Sequence, residues 1–171
     1  MQKTGTMQQP NLIRTFSAIM LAFACLLTQP ISLAAEKAVI AVIVASDAPV
    51  KSISLPELKL IYWRKKTYWA NGQRMHPVNL PSDHALRLQF SSSILGSLPS
   101  TQSDYWNGLY FHGISPPHVV YSDEAVIRYV QETTGSIGYV DACKADPRVK
   151  PVFWIMPNGD LSHDAPDLSC D

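Results

Sequence analysis

SLPELKLIYWRKKTYWANGQRMHPV, running from Ser54 to Val78, is the stretch whose reading decides the fold. Ser54-Leu55-Pro56-Glu57 is a capping box with proline in the first turn, so a helix starts there. Leu55, Leu58, Ile61 and Tyr62 give that helix one apolar face. Arg64 to Tyr68 is a basic loop, Asn71-Gly72 is a tight turn, and Met75 to Leu80 is a short strand. One helix followed by one strand already points away from all-α and all-β architectures.

The same alternation continues on both sides. Upstream, Ala38 to Ala45 (AVIAVIVA) is a continuous β-branched run, expected to be a buried strand parallel to its neighbours. Downstream, Ser82 or Asp83 is the expected cap of a helix carrying Leu86, Phe90 and Ile94 and ending at Gly96. Ser100 to Leu109 is read as a helix, and Ile114 to His118, with Pro116-Pro117, as an extended connection. Ser122-Asp123-Glu124 opens a helix with Ala125, Val126, Tyr129 and Val130 inward, and Gly135 closes it. Ile137 to Val140 and Val149 to Met156 are strands, and a polar tail follows. The expectation is an α/β fold, a three-layer sandwich on a mixed sheet.

Residues 1–35 read as a signal peptide. Lys3 and Arg14 precede the apolar run Phe16 to Leu27, and Ser32-Leu33-Ala34 supplies small residues for cleavage after Ala34. A retained anchor and lipidation at Cys25 are the alternatives, the latter behind a poor lipobox at Ala22-Phe23-Ala24. Residues 36–171 are then one exported domain, with no membrane span after cleavage. Without Lys3 and Arg14 that domain carries 12 basic (14 − 2) and 14 acidic residues, near −2, with no basic stripe. Nucleic acid is therefore not an expected partner. Its two cysteines, Cys143 and Cys170, are most simply a disulfide in an oxidising compartment, the alternative being two free thiols.

Catalytic chemistry finds little support. Gly135-Ser136-Ile137-Gly138 lacks the spacing of a nucleophile elbow and lies at a helix-to-strand turn. No histidine pair has zinc-ligand spacing, and no Cys–His cluster exists, so no metal and no cofactor is expected. Three expected helix starts follow strands, at Ser54, Ser82 and Ser122, and such ends present free N–H groups to anions. Arg87, one turn inside the second helix, adds a guanidinium. Ordinary capping is the competing account of those serines. Tyr62, Trp63, Tyr68, Trp69, Tyr105, Trp106 and Tyr110 form a dense aromatic set, read chiefly as core packing and otherwise as a binding surface.

Taken in order, these pieces resemble the periplasmic phosphate-binding proteins of ABC transporters, with their type 2 solute-binding fold. The resemblance rests on S-L-x-x-E-L-x-x-I-Y at Ser54 to Tyr62 and on Trp69-Ala70-Asn71-Gly72. It continues through Arg87-Leu88-Gln89-Phe90, Tyr105-Trp106, S-D-E-A-V-I-x-Y-V at Ser122 to Val130, and Thr134 to Val140. It implies a periplasmic, non-enzymatic domain that binds phosphate or another small oxyanion and works with an ABC permease. Two departures accompany it. The matching segments resemble one lobe of a two-lobed protein. The family's Arg-x-x-x-Ser-Gly-Thr ligand loop is replaced, with Leu80 at its Arg position and His84, Ala85 and Leu86 at Ser, Gly and Thr. Ser82, His84 and Arg87 remain nearby as donors in a different layout, and with Ser54 and Ser122 they make up the expected ligand-binding set. The other reading is an envelope interaction or sensor module, binding a protein partner or a second copy through the surface around Tyr105 to Pro117.

Overall fold

Two faces of apolar side chains on one strand require cover on both sides, and the run from Ala38 supplies that strand. The computed structural model describes residues 1–2 and 37–170, and β1 (Ile40–Ala45), buried from Ile40 to Val44, lies near the middle of a six-stranded sheet. The signal peptide, its cleavage after Ala34 and the readings of Cys25 lie outside the described residues. The sheet also holds β2 (His76–Asn79), β3 (His118–Val119), β4 (Ser136–Asp141), β5 (Val149–Ile155) and β6 (Leu161–Ser162), in the order β3-β2-β4-β1-β5-β6.

Strand β1 is antiparallel to both neighbours, with Val42 opposite Tyr139 of β4 and Phe153 of β5. This corrects the expectation of parallel pairing. A continuous apolar run reports burial on both faces, and burial is indifferent to strand direction. The parallel ladders lie elsewhere, β2 with β4 and β2 with β3, so the sheet is mixed as expected.

Four helices flank it: α1 (Leu55–Tyr62), α2 (Ala85–Phe90, continued by a wider turn over Ser91–Leu95), α3 (Ser103–Tyr110) and α4 (Asp123–Glu132). Ser54 caps α1 as read, its Oγ accepting from the Glu57 amide at 3.4 Å. Glu57 does not complete the capping box, because its carboxylate pairs with Lys66 instead. The cap of α2 is a correction. His84, not Ser82 or Asp83, holds that place, with Nδ1 accepting from the Leu86 amide at 3.3 Å. Neutral imidazole has one acceptor nitrogen and can serve as a hydroxyl does. Two short strands are absent from the sequence reading: β6 returns through Asn158-Gly159, and β3 sits at the edge just after Pro116-Pro117.

The layers follow from alternation along β4. Gly138 faces α4, and a Cβ built there would meet Val126 Cγ1 at 2.6 Å and Val78 Cγ1 at 2.8 Å. Tyr139 faces the other way, its ring stacked on Phe90 of α2 at 4.1 Å, with Tyr62 of α1 4.6 Å from Phe90. Helices on both faces of a mixed sheet make the three-layer sandwich. Cys143 and Cys170 are joined, 27 residues apart, and the bond ties the tail to the turn after β4.

Two measurements check this account. Gly138→Ala should destabilise the domain by about 1–3 kcal/mol, because the added methyl overpacks the α4 contact. Wild-type thermal stability in that variant would show that α4 can shift outward. Reduction of the Cys143–Cys170 bond should lower the unfolding free energy by about 3.5 kcal/mol, from loop-closure entropy over the 27-residue separation. Urea melts with and without reductant measure it, and coincident curves would refute it.

Candidate functional site

One end of the sheet gathers the polar groups. The C-terminal ends of β2 and β4 lie there, because these strands are parallel. The residues preceding β1 and following β5 reach the same end: Gln89 of α2 donates from Nε2 to the Ala38 carbonyl at 2.8 Å and the Met156 carbonyl at 3.4 Å. Helix α4 begins there too, since Asp123 Oδ1 accepts from the Asp141 amide at 2.9 Å.

Beneath this end lies a buried polar cluster. The Tyr139 hydroxyl donates to Asn79 Oδ1 at 3.2 Å and accepts from the Leu80 amide at 3.4 Å. The Tyr62 hydroxyl donates to the Val78 carbonyl at 3.2 Å. Burial pushes both phenols well above the usual tyrosine range, so both stay protonated and act as donors. Arg87 joins them. It is only 7 % exposed, and its Nε and Nη1 are buried without a hydrogen-bond partner. Burial lowers its pKa, while Tyr139 and Tyr62 act in the opposite sense. A guanidinium stays charged in proteins, so its unpaired N–H groups are a cost that an anion would offset. Ser91, fully buried on the same helix, also has an Oγ without a partner.

Ser82, His84, Arg87 and Ser122 all fall at this end of the sheet. Ser82 is exposed, while His84 and Ser122 are engaged as caps, Ser122 Oγ accepting from the Ala125 amide at 3.2 Å. Ser54 does not join them. It opens α1 at the opposite end, next to a cavity of about 460 Å³ lined by Val44, Ser52, Glu57, Trp69, Asn71 and Thr134 among others. The strand run that precedes Ser54 points the other way from β2 and β4, which is what separates it from the other four. Asn79 and Tyr139 are polar members of the cluster that the sequence reading did not name as ligands. Both sit in strands that read as ordinary apolar segments, and only the alternation of β4 against Phe90 could have singled out Tyr139.

The aromatic set divides. Tyr62 is core, and Trp63, Tyr105 and Trp106 pack on one another, with the Tyr105 hydroxyl donating to the Trp63 carbonyl at 2.6 Å. Tyr110 and Phe111 stand out at 70 % and 86 % exposure. Among the described residues no group of three His, Cys, Asp or Glu side chains converges as a metal site, and no helix is long and apolar enough to cross a membrane.

Comparison with solved structures shows the fold. A Clostridium perfringens protein described as a phosphate ABC transporter substrate-binding protein, with phosphate bound, superposes at a TM-score of 0.56 with 22 % identity. The match covers 68 % of this chain and 46 % of that one. An ABC-type phosphate transport receptor from Vibrio cholerae gives 0.55 and 19 %, over 68 % and 47 %. The domain therefore shares its α/β fold with one part of these substrate-binding proteins, and the match spans less than half of their length. No protein-family model matches the chain, and no curated protein matches it either.

Arg87→Met tests the reading of the buried cluster. In buffer free of multivalent anions it should leave thermal stability unchanged or raise it, because removing an incompletely paired buried charge is often neutral or stabilising. A loss above about 2 kcal/mol in thermal or urea melts would mean that the fold satisfies the guanidinium internally.

Proposed function

We propose that this chain is a periplasmic, non-catalytic solute-binding lobe that takes phosphate or another small oxyanion at the Asn79 to Arg87 end of its sheet and serves an ABC permease. The observation that carries the reading is the Arg87 guanidinium, buried with two unpartnered nitrogens beside two neutral phenols. Helix starts at His84 and Ser122 add N–H groups and partial positive charge to the same end. The phosphate-binding neighbours support the solute class. Export behind a cleaved 1–35 signal peptide belongs to the proposal, as does the single domain over 36–171. A lone lobe leaves its ligand half open to water, so the affinity expected of it is modest.

A second reading is favoured by Tyr110 and Phe111, large aromatic side chains left in solvent after the turn of α3. In that reading the lobe is an envelope interaction module whose aromatic surface binds a protein partner or a second copy.

Isothermal titration with inorganic phosphate and with sulfate separates the two. The solute reading expects saturable heat with a millimolar or tighter dissociation constant, weakened about tenfold or more in Arg87→Met. Silence up to about 10 mM for both ions rejects it. Light scattering that shows a dimer lost in Phe111→Ser would then favour the module.

A further inference from the structure

Arg64 occupies a backbone position that glycine fills by default. It follows the C-cap of α1 with φ of 57°, the one positive φ among the described non-glycine residues. For a side chain with a Cβ the left-handed conformation costs about 1–2 kcal/mol. The side chain turns back onto the chain entering β2, and Nη1 donates to the Met75 carbonyl at 3.3 Å. Its Nε is buried with no partner.

Two further basic residues, Arg74 and His76, flank the Met75 whose carbonyl it reaches. Met75 faces the core at 0 % exposure, so alternation puts Arg74 and His76 together on the opposite side of the chain. Burial and then the Arg74 charge hold Arg64 below its usual range, against an opposing effect of Tyr129. Burial, Arg74 and Arg64 do the same to His76. The ion pairs among the described residues join Lys66 to Glu57 and Arg148 to Glu124 and Asp146, and leave Arg64, Arg74 and His76 out. A strained arginine thus lies beside two other basic groups, and among the described residues no ion pair joins any of the three. Strain of this kind at a polar cluster is a pointer to a site.

We propose that Arg64, Arg74 and His76 form a second anion site, at the end of β2 opposite Arg87, that takes a phosphoryl or sulfuryl group. Charge and shape select this class. A tetrahedral dianion presents several oxygens to N–H donors arriving from different directions, and its charge answers two guanidinium cations better than one carboxylate does. The group is equally well supplied by a free ion or by a phosphate ester, and the chemistry is the same. The half-buried Arg64 is what separates this cluster from an ordinary solvated basic face, where screening leaves little affinity.

The experiment is NMR of the full domain, following the His76 ring and the Arg64 Nε–H during separate additions of inorganic phosphate, sulfate and phenyl phosphate. Saturable shifts of both signals below about 10 mM are expected. Arg64→Gly should keep the fold, with an equal or higher melting temperature, because glycine suits the left-handed backbone. It should weaken the His76 response about tenfold, and Arg74→Gln should weaken it likewise, while Arg87→Met leaves it unchanged. Phenyl phosphate binding more tightly than the free ions would assign the source to an ester, and the reverse order to the ion. A purely structural Arg64 predicts that Arg64→Gly titrates as wild type, and that result overturns the proposal. So does the lack of saturable shifts with all three probes, or saturation by an acidic hexapeptide in their place.

Discussion

Everything at the polar end of this lobe depends on one stack of rings. Tyr139 of the sheet lies parallel to Phe90 of α2, with 5° between their planes, and Tyr62 of α1 closes against both. The stack is apolar enough to hold two helices on one face of the sheet. Its two hydroxyls must still be satisfied in the interior, and they are, by Val78 and Asn79 at the end of β2. The same contact that fixes the layers therefore fixes the loop after β2. It also brings Arg87, three residues before Phe90, beneath that loop with part of its guanidinium unpaired.

Much of the scaffold was legible because its signals are local. The Ser54 cap and the glycine stop at Gly96 depend on neighbours within a turn and are realised, whereas α4 ends at Glu132 before Gly135 and buries Ile127 with Val126 and Val130, leaving Ala125 and Tyr129 half-buried. Strand direction is not local. Ile40 to Ala45 would look the same in either orientation, and only the pairing with β4 and β5 settles it. Nor is capping by His84 legible, since histidine at a helix start is an uncommon solution and two better caps precede it. The ligand set was assembled from helix starts, and that rule cannot say which end of the sheet a helix starts from. Ser54 parted from the other four for that reason. Arg64 shows a different limit: the loop is legible as basic, and nothing in the residue type announces a left-handed backbone.

The two basic features differ in kind. Arg87 is surrounded by a formed core, and its unpaired nitrogens are a debt created by packing. Arg64, Arg74 and His76 stand at a half-open edge, where burial is the first cost to Arg64 and His76 and repulsion from the neighbouring guanidinium the second. Occupancy of either would offset desolvation, and at the second it would also offset the repulsion that Arg64 and His76 feel from Arg74. Their responses to ionic strength should differ accordingly, the edge cluster being the more readily screened.

The amide of Gln89 has a wider consequence. By holding the carbonyls of Ala38 and Met156 together, it ties the chain's entry into β1 to the turn between β5 and β6, and the Cys143–Cys170 bond returns the tail to the same end, beside the Ala142 amide that donates to the Val39 carbonyl at 2.8 Å. A body closed in this way needs no long linker to be set inside another polypeptide, because the host's two cut ends already lie side by side. The lobe is in that sense a cassette: it can be grafted, doubled or hung from a larger assembly without disturbing the rings that hold it together.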